Sequence, residues 1–101
     1  MENYPSEVLS AMSEGINKLE QTWNTKHFAN VENCFKKHSD SMTKYEECIT
    51  PHQKKFDELN EYASNFNMYL QLRLGNCLRS QSAKECAQVA TNLFKDLTDK
   101  Y

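Results

Sequence analysis

Apolar residues recur along this chain at helical spacing, and they do so in three stretches. In the first, Leu9, Met12, Ile16, Leu19 and Trp23 step 3, 4, 3 and 4 residues apart, which is the stripe of an amphipathic helix. Pro5 stands just ahead, where the start of a helix tolerates proline. After Trp23 the stripe loosens through His27, Phe28, Val31 and Phe35. The pattern predicts a helix over about 6–37, followed by His38-Ser39-Asp40-Ser41 as a turn that ends in an N-cap.

The second stretch is the most regular. Met42, Tyr45, Ile49, His52, Phe56, Leu59, Ala63, Phe66, Leu70, Arg73 and Cys77 form a strict 3-4 alternation, a heptad seam. Pro51 interrupts it, because a proline disfavours the helical conformation of the residue before it. Thr50-Pro51-His52-Gln53 fits a capping box with proline at the first helical position. The reading is therefore a short helix at 41–49, a kink or restart at Thr50–His52, and a long helix at 51–74 closed by Gly75-Asn76 in a left-handed cap. In the third stretch Ser82-Ala83-Lys84-Glu85 is another capping box. Ala83, Cys86 or Ala87, Ala90, Leu93 or Phe94, Leu97 and Tyr101 then make one apolar face of a helix over 82–99. No β-rich run appears. The expected fold is all-α, a helical hairpin extended to three helices running up, down and up within one domain spanning 1–101.

Composition narrows the function classes. Two glycines and two prolines in 101 residues leave no room for a phosphate-cradling loop or a dinucleotide fingerprint, and no cofactor is expected. A net charge of −2 offers nucleic acid no electrostatic footprint. The opening MENYPSEVLS has neither the basic and apolar regions of a secretory signal nor the arginines of a mitochondrial presequence. No stretch approaches the ~18 apolar residues of a membrane span, so any membrane association is expected to be peripheral.

Four cysteines carry the strongest chemistry. A helix over 51–74 spans ~36 Å, and Cys48 and Cys77 lie beyond its two ends. They cannot reach the ~4.4–6.8 Å Cα spacing of a disulfide, and neither of the pairings that cross the hairpin ends can. Cys34–Cys48 and Cys77–Cys86 remain, each straddling one predicted turn. The 15-residue loop of the first is worth ~3 kcal/mol in the chain-entropy model, which matters in a thin domain. Two alternatives stand beside this. Cys34-x3-His38 and Cys48-x3-His52 could supply a tetrahedral zinc site, although Pro51 falls inside the second pair. Four free thiols could also pack as small hydrophobes.

Catalysis has little to stand on. His27, His38 and His52 lack any nucleophile elbow or carboxylate pair to organise them, so no catalytic residue is assigned. On the seam, His52 reads as a hydrogen-bonded core histidine. Arg73 needs a carboxylate if buried, or else snorkels to water. Trp23, Phe28, Phe35, Tyr62, Met68, Tyr69 and Leu72 exceed what one seam per helix can bury, and their types are enriched at interfaces. They are the expected contacts with partner proteins.

Disulfides need an oxidising compartment, and unprocessed, cysteine-paired helical proteins occupy the mitochondrial intermembrane space. The chain resembles two families of that compartment. Tyr45-Glu46-Glu47-Cys48 resembles the aromatic-before-cysteine signal of the coiled-coil-helix-coiled-coil-helix proteins, with spacings of thirteen and eight in place of nine. Cys34-x13-Cys48 resembles the inner cysteine pair of the small Tim chaperones, whose outer partners would fall at Asn30 and His52. The resemblance spans roughly 6–74. It implies oxidative import by a Mia-type oxidoreductase. It also implies a non-catalytic role as an accessory subunit of a respiratory inner-membrane complex, on its intermembrane-space side, with other subunits or homologous small helical proteins as partners. The alternatives are a small Tim-like chaperone, or a helical carrier of an apolar ligand.

Overall fold

A computed structural model describes residues 4–101; the first three residues, part of the opening segment read above for targeting signals, lie outside the described residues. Three helices account for nearly all of it: α1 (Ser6–Lys37), α2 (Met42–Ser80) and α3 (Ala83–Thr98). The fold is all-α, with no strand among the described residues. Each joint is built from its predicted polar residues. Ser41 caps α2 by accepting the Lys44 N–H at 3.3 Å. Ser82 and Glu85 form a reciprocal capping box at α3. Both disulfides form as the hairpin geometry requires, Cys34–Cys48 and Cys77–Cys86, with Cα separations of 5.7 and 5.8 Å.

The path is up, down and up. The Cys34–Cys48 bridge ties the end of α1 to the start of α2, and Cys77–Cys86 ties the end of α2 to the start of α3. α3 therefore runs beside α1 and in the same direction. Val8, Ala11 and Met12 of α1 meet Leu70 and Leu74 of α2 and Cys86, Ala90 and Phe94 of α3 in one buried cluster. Leu19, Trp23 and Leu97 continue it, flanked by Phe56, Leu59, Ala63 and Phe66.

Lengths dictate the shape. α2 has 39 residues, about 58 Å of helix, which matches the long dimension of 59 Å against 19 and 18 Å across. The Cα radius of gyration, 17.7 Å, exceeds the ~13 Å of a compact domain of this size. The 16 residues of α3 cover only about 24 Å. A three-helix core thus exists along one half of the molecule. Beyond Tyr101 the ends of α1 and α2 continue as a two-helix arm.

At the boundary α1 clasps the end of α3. The Trp23 indole Nε1 donates to the Thr98 carbonyl at 3.0 Å, Lys26 Nζ to the Tyr101 carbonyl at 3.1 Å, and Asn30 Nδ2 to the Tyr101 hydroxyl at 3.2 Å. Those residues are spaced three and four apart, one face of α1, and the first of the bonds satisfies the Thr98 carbonyl, one of those that the last turn of a helix leaves open. The Tyr101 ring lies 6.5 Å from Trp23 and 6.3 Å from Phe56.

Four sequence expectations give way to packing. The helix does not restart at Pro51: α2 is continuous, and the Thr50 hydroxyl donates to the Glu46 carbonyl at 2.6 Å instead of capping a new helix. Glu47, Thr50 and Pro51 are exposed, so water reaches the Glu47 carbonyl that proline leaves without a donor, while Tyr45, Cys48 and Phe56 hold both flanks to Phe35, Cys34 and His27 of α1. Nor does Gly75 close α2; no glycine has a positive φ among the described residues. Helix continues to Ser80 because Cys77 and Leu78 pack on the core. Leu74, not Arg73, takes the buried place on the seam, since a straight helix drifts ~20° per heptad from a strict seven-residue repeat. On α1 the same competition leaves Leu9 and Ile16 about half exposed, and Val8 and Ala11 are buried in their place, because α1 must face α3 as well as α2.

Gly15 explains itself in this packing. A Cβ there would fall within the Phe94 ring and 2.8 Å from Phe94 Cβ. Alanine gains ~1 kcal/mol of helix propensity over glycine, but overpacking costs ~1–3 kcal/mol. Gly15→Ala is therefore expected to lower the melting temperature, and adding Phe94→Leu to recover part of the loss, as read by thermal circular dichroism.

The two bridges differ in what supports them. Cys77–Cys86 borders the three-helix core, whereas Cys34–Cys48 fastens an arm with little apolar burial of its own. Cys34→Ser with Cys48→Ser is expected to raise hydrogen exchange across residues 28–50 while Trp23 fluorescence stays native. Equal loss at Trp23 would show that the arm and the core unfold as one unit.

Candidate functional site

The residues expected to contact partners separate into three groups. Trp23 is a correction: it is 1% exposed, at the junction of all three helices, and it faces no partner. The apolar stripe placed it on α1, but only the arrival of α3 covers it. Its truncation to alanine would cost ~3–5 kcal/mol of folding stability and would not selectively release a partner. Phe28 and Phe35 lie on the arm, 64% and 60% exposed. They are seven residues apart and share a face of α1, with Val31 between them and Phe35 edge-on to Tyr45 at 6.1 Å. Tyr62, Met68, Tyr69 and Leu72 lie on α2.

These last four are not equivalent. Met68 and Leu72, 72% and 64% exposed, project from the side of α2 opposite Leu70 and Leu74, which are fully buried. Tyr62 and Tyr69 flank that outer face and carry cations. Lys100 Nζ lies 5.0 Å from the Tyr62 ring centroid, and the Arg73 guanidinium 5.8 Å from that of Tyr69. Arg73 Nη1 also donates to the Tyr69 hydroxyl at 2.8 Å. Arg73 is thus a solvated residue paired with an aromatic, not a buried charge seeking a carboxylate.

Three further apolar side chains belong to the surface and were expected inside: Leu9, Ile16 and Met42. Ile16 and Leu19 of α1 face Ala63 and Phe66 of α2 across a groove of about 300 Å³ that Phe94 and Leu97 of α3 also line. No sequence signal marks this groove, because residues of all three helices line it and it exists only once they have packed.

The zinc alternative does not survive the cysteine pairing. Cys34 and Cys48 are joined to each other, so neither thiolate is free to join His38 and His52 around a metal. The free-thiol alternative falls with it, since no cysteine is free. The histidines are dispersed: His38 terminates α1, His52 is half-buried on α2, and His27 stacks on Phe56 with centroids 4.0 Å apart and planes 3° from parallel. Gln53 donates its amide to Asp57, which turns its oxygen to His27 Nε2 at 3.2 Å. His27 therefore donates through Nε2 and serves as a strut between α1 and α2.

No helix among the described residues is long and apolar enough to cross a membrane. Compared with known protein families, curated proteins and solved structures, the chain has no match.

Glu85 is held below its ordinary carboxylate range, first by the backbone N–H of Ser82 and then by the Ser82 hydroxyl. A depressed carboxyl stabilises the fold above its unfolded-state pKa and loses that contribution as pH falls through the folded value. Acidification below the ordinary carboxylate range is expected to lower the melting temperature more in the native chain than in Glu85→Gln. Identical pH profiles would remove Glu85 from the account of acid stability.

Proposed function

We propose that this chain is a non-catalytic helical accessory subunit of a mitochondrial inner-membrane respiratory complex, seated on the intermembrane-space side, and that it acts by contact and not by chemistry. The observation that carries the reading is the arm: two helices held together by a disulfide, with Phe28 and Phe35 left bare. An arm with so little burial of its own has no evident stabilising role within the chain. Exposed aromatics on a rigid helix are what interface anchors consist of. Two disulfides on a helical hairpin suit a compartment with an oxidative import route, and the cysteine pattern that resembles the proteins of that space supports the same assignment. The groove between α1 and α2 is not enclosed and mixes its apolar residues with Glu20, Asn60, Ser64 and Asn67, which favours protein contact over the ligand-carrier alternative.

The test is fractionation. Tagged protein expressed in its own cells should remain with mitochondria after outer-membrane rupture and co-migrate with a membrane complex in mild detergent. Phe28→Glu with Phe35→Glu should release it while disulfides and helicity persist. Migration as a free monomer outside mitochondria would overturn both the compartment and the role.

A further inference from the structure

The outer face of α2 has an arrangement that the heptad seam on its inner face does not explain. Glu61, Asn65, Met68, Leu72, Gly75 and Arg79 advance by 4, 3, 4, 3 and 4 residues, so they form one continuous line along the helix. All six are exposed. Their chemistry is arranged symmetrically about position 70: Met68 and Leu72 are equally distant from it, then Asn65 and Gly75, then Glu61 and Arg79. Apolar residues occupy the middle, small or amide residues the next ring, and opposite charges the ends. Glu61 and Arg79 make no ion pair within the chain among the described residues, where Lys36 with Glu32 is the pair that forms.

A line of this kind is complementary to its own reverse. From it we propose that the outer face of α2 is a self-association surface, on which a second copy of this chain lays its own α2 antiparallel about a twofold axis beside residue 70. Such an interface is isologous, each contact occurring twice. Met68 of one copy meets Leu72 of the other, Asn65 meets Gly75, and Glu61 meets Arg79 at both ends. A Cβ at position 75 would meet nothing within 4 Å beyond its own stretch of helix among the described residues, so the glycine leaves its partner's Asn65 open space. Tyr69, one residue from the axis, is brought beside its own symmetry mate. α1 and α3 lie on the far side of α2, so nothing in the fold obstructs the approach, and the two arms project from opposite ends of the pair.

The overlap runs over residues 60–80 of each copy, about 30 Å of helix. That is less than a standard interface requires, so the dimer is weak, concentration-dependent and weakened by salt. The proposal rests on the reading of these helix faces as protein contacts. It assigns one of them to a copy of the chain and leaves the arm to other subunits.

Sedimentation of the purified, oxidised protein tests it, from about 10 µM to 1 mM, the weak end of the affinity scale. A dimer that grows with concentration is expected, and Leu72→Glu should remain monomeric. Glu61→Arg and Arg79→Glu should each weaken association at least about fivefold, and the double reversal Glu61→Arg with Arg79→Glu should restore it. The double variant carries the same change in the last turn of α2 as the single one, so recovery separates pairing from folding. Circular dichroism and disulfide mapping should be unchanged throughout. A monomer at every concentration overturns the proposal, as does a dimer indifferent to Leu72→Glu, or single reversals that the double does not rescue. None of those results touches co-migration with a membrane complex, which is read separately through Phe28 and Phe35.

Discussion

The indole of Trp23 lies where the three helices meet, with its ring buried and its N–H donated to the Thr98 carbonyl at the end of α3. From that point towards the Cys77–Cys86 end, α1, α2 and α3 enclose a core of aliphatic and small residues with Phe94 seated on Gly15. From that point towards the Cys34–Cys48 end only α1 and α2 continue among the described residues. One aromatic residue thus marks the change between two ways of holding helices together. On one side burial of apolar surface dominates, and on the other a covalent bridge limits the unfolded chain.

That division makes the molecule long. A chain of this size can stabilise itself as a compact bundle, but α2 extends about twice as far as α3 can cover. The exposed part is not left to helix propensity alone. Phe56 stacks on His27, Gln53 fixes the imidazole, and the disulfide closes the far end. These contacts are few and local, which gives the arm a defined shape at low intrinsic stability.

The outward surfaces follow from the same geometry. A helix that packs on one side presents the opposite side to solvent, and α2 carries Met68 and Leu72 there. The arm likewise displays Phe28 and Phe35, which α3 does not reach among the described residues. The candidate surfaces are separate in space, one on the outer face of the three-helix half and the other on the arm.

Much of the architecture was legible in the residues. Periodicity located the helices, Ser41 and the Ser82–Glu85 box located their starts, and the length of the second helix selected the disulfide pairing, because bridges cannot span a rigid rod. Those features depend on local chemistry or on simple distance. Tertiary packing decided the rest. Which side of α1 faces inward, and therefore that Trp23 is core while Leu9 and Ile16 are not, depends on where α3 lies, and the stripe on α1 contains no information about that. The competition at Pro51 and Gly75 was resolved the same way: each is a local signal to stop, worth ~3 kcal/mol for proline and ~1 kcal/mol for glycine, set against long-range contacts on both sides that a break would forfeit, the Cys48 bridge and the Phe56 stack around Pro51 and the core contacts of Leu74, Cys77 and Leu78 around Gly75. A local preference determines structure only until the long-range contacts that oppose it exceed its free energy, and those contacts exist only once the helices have met.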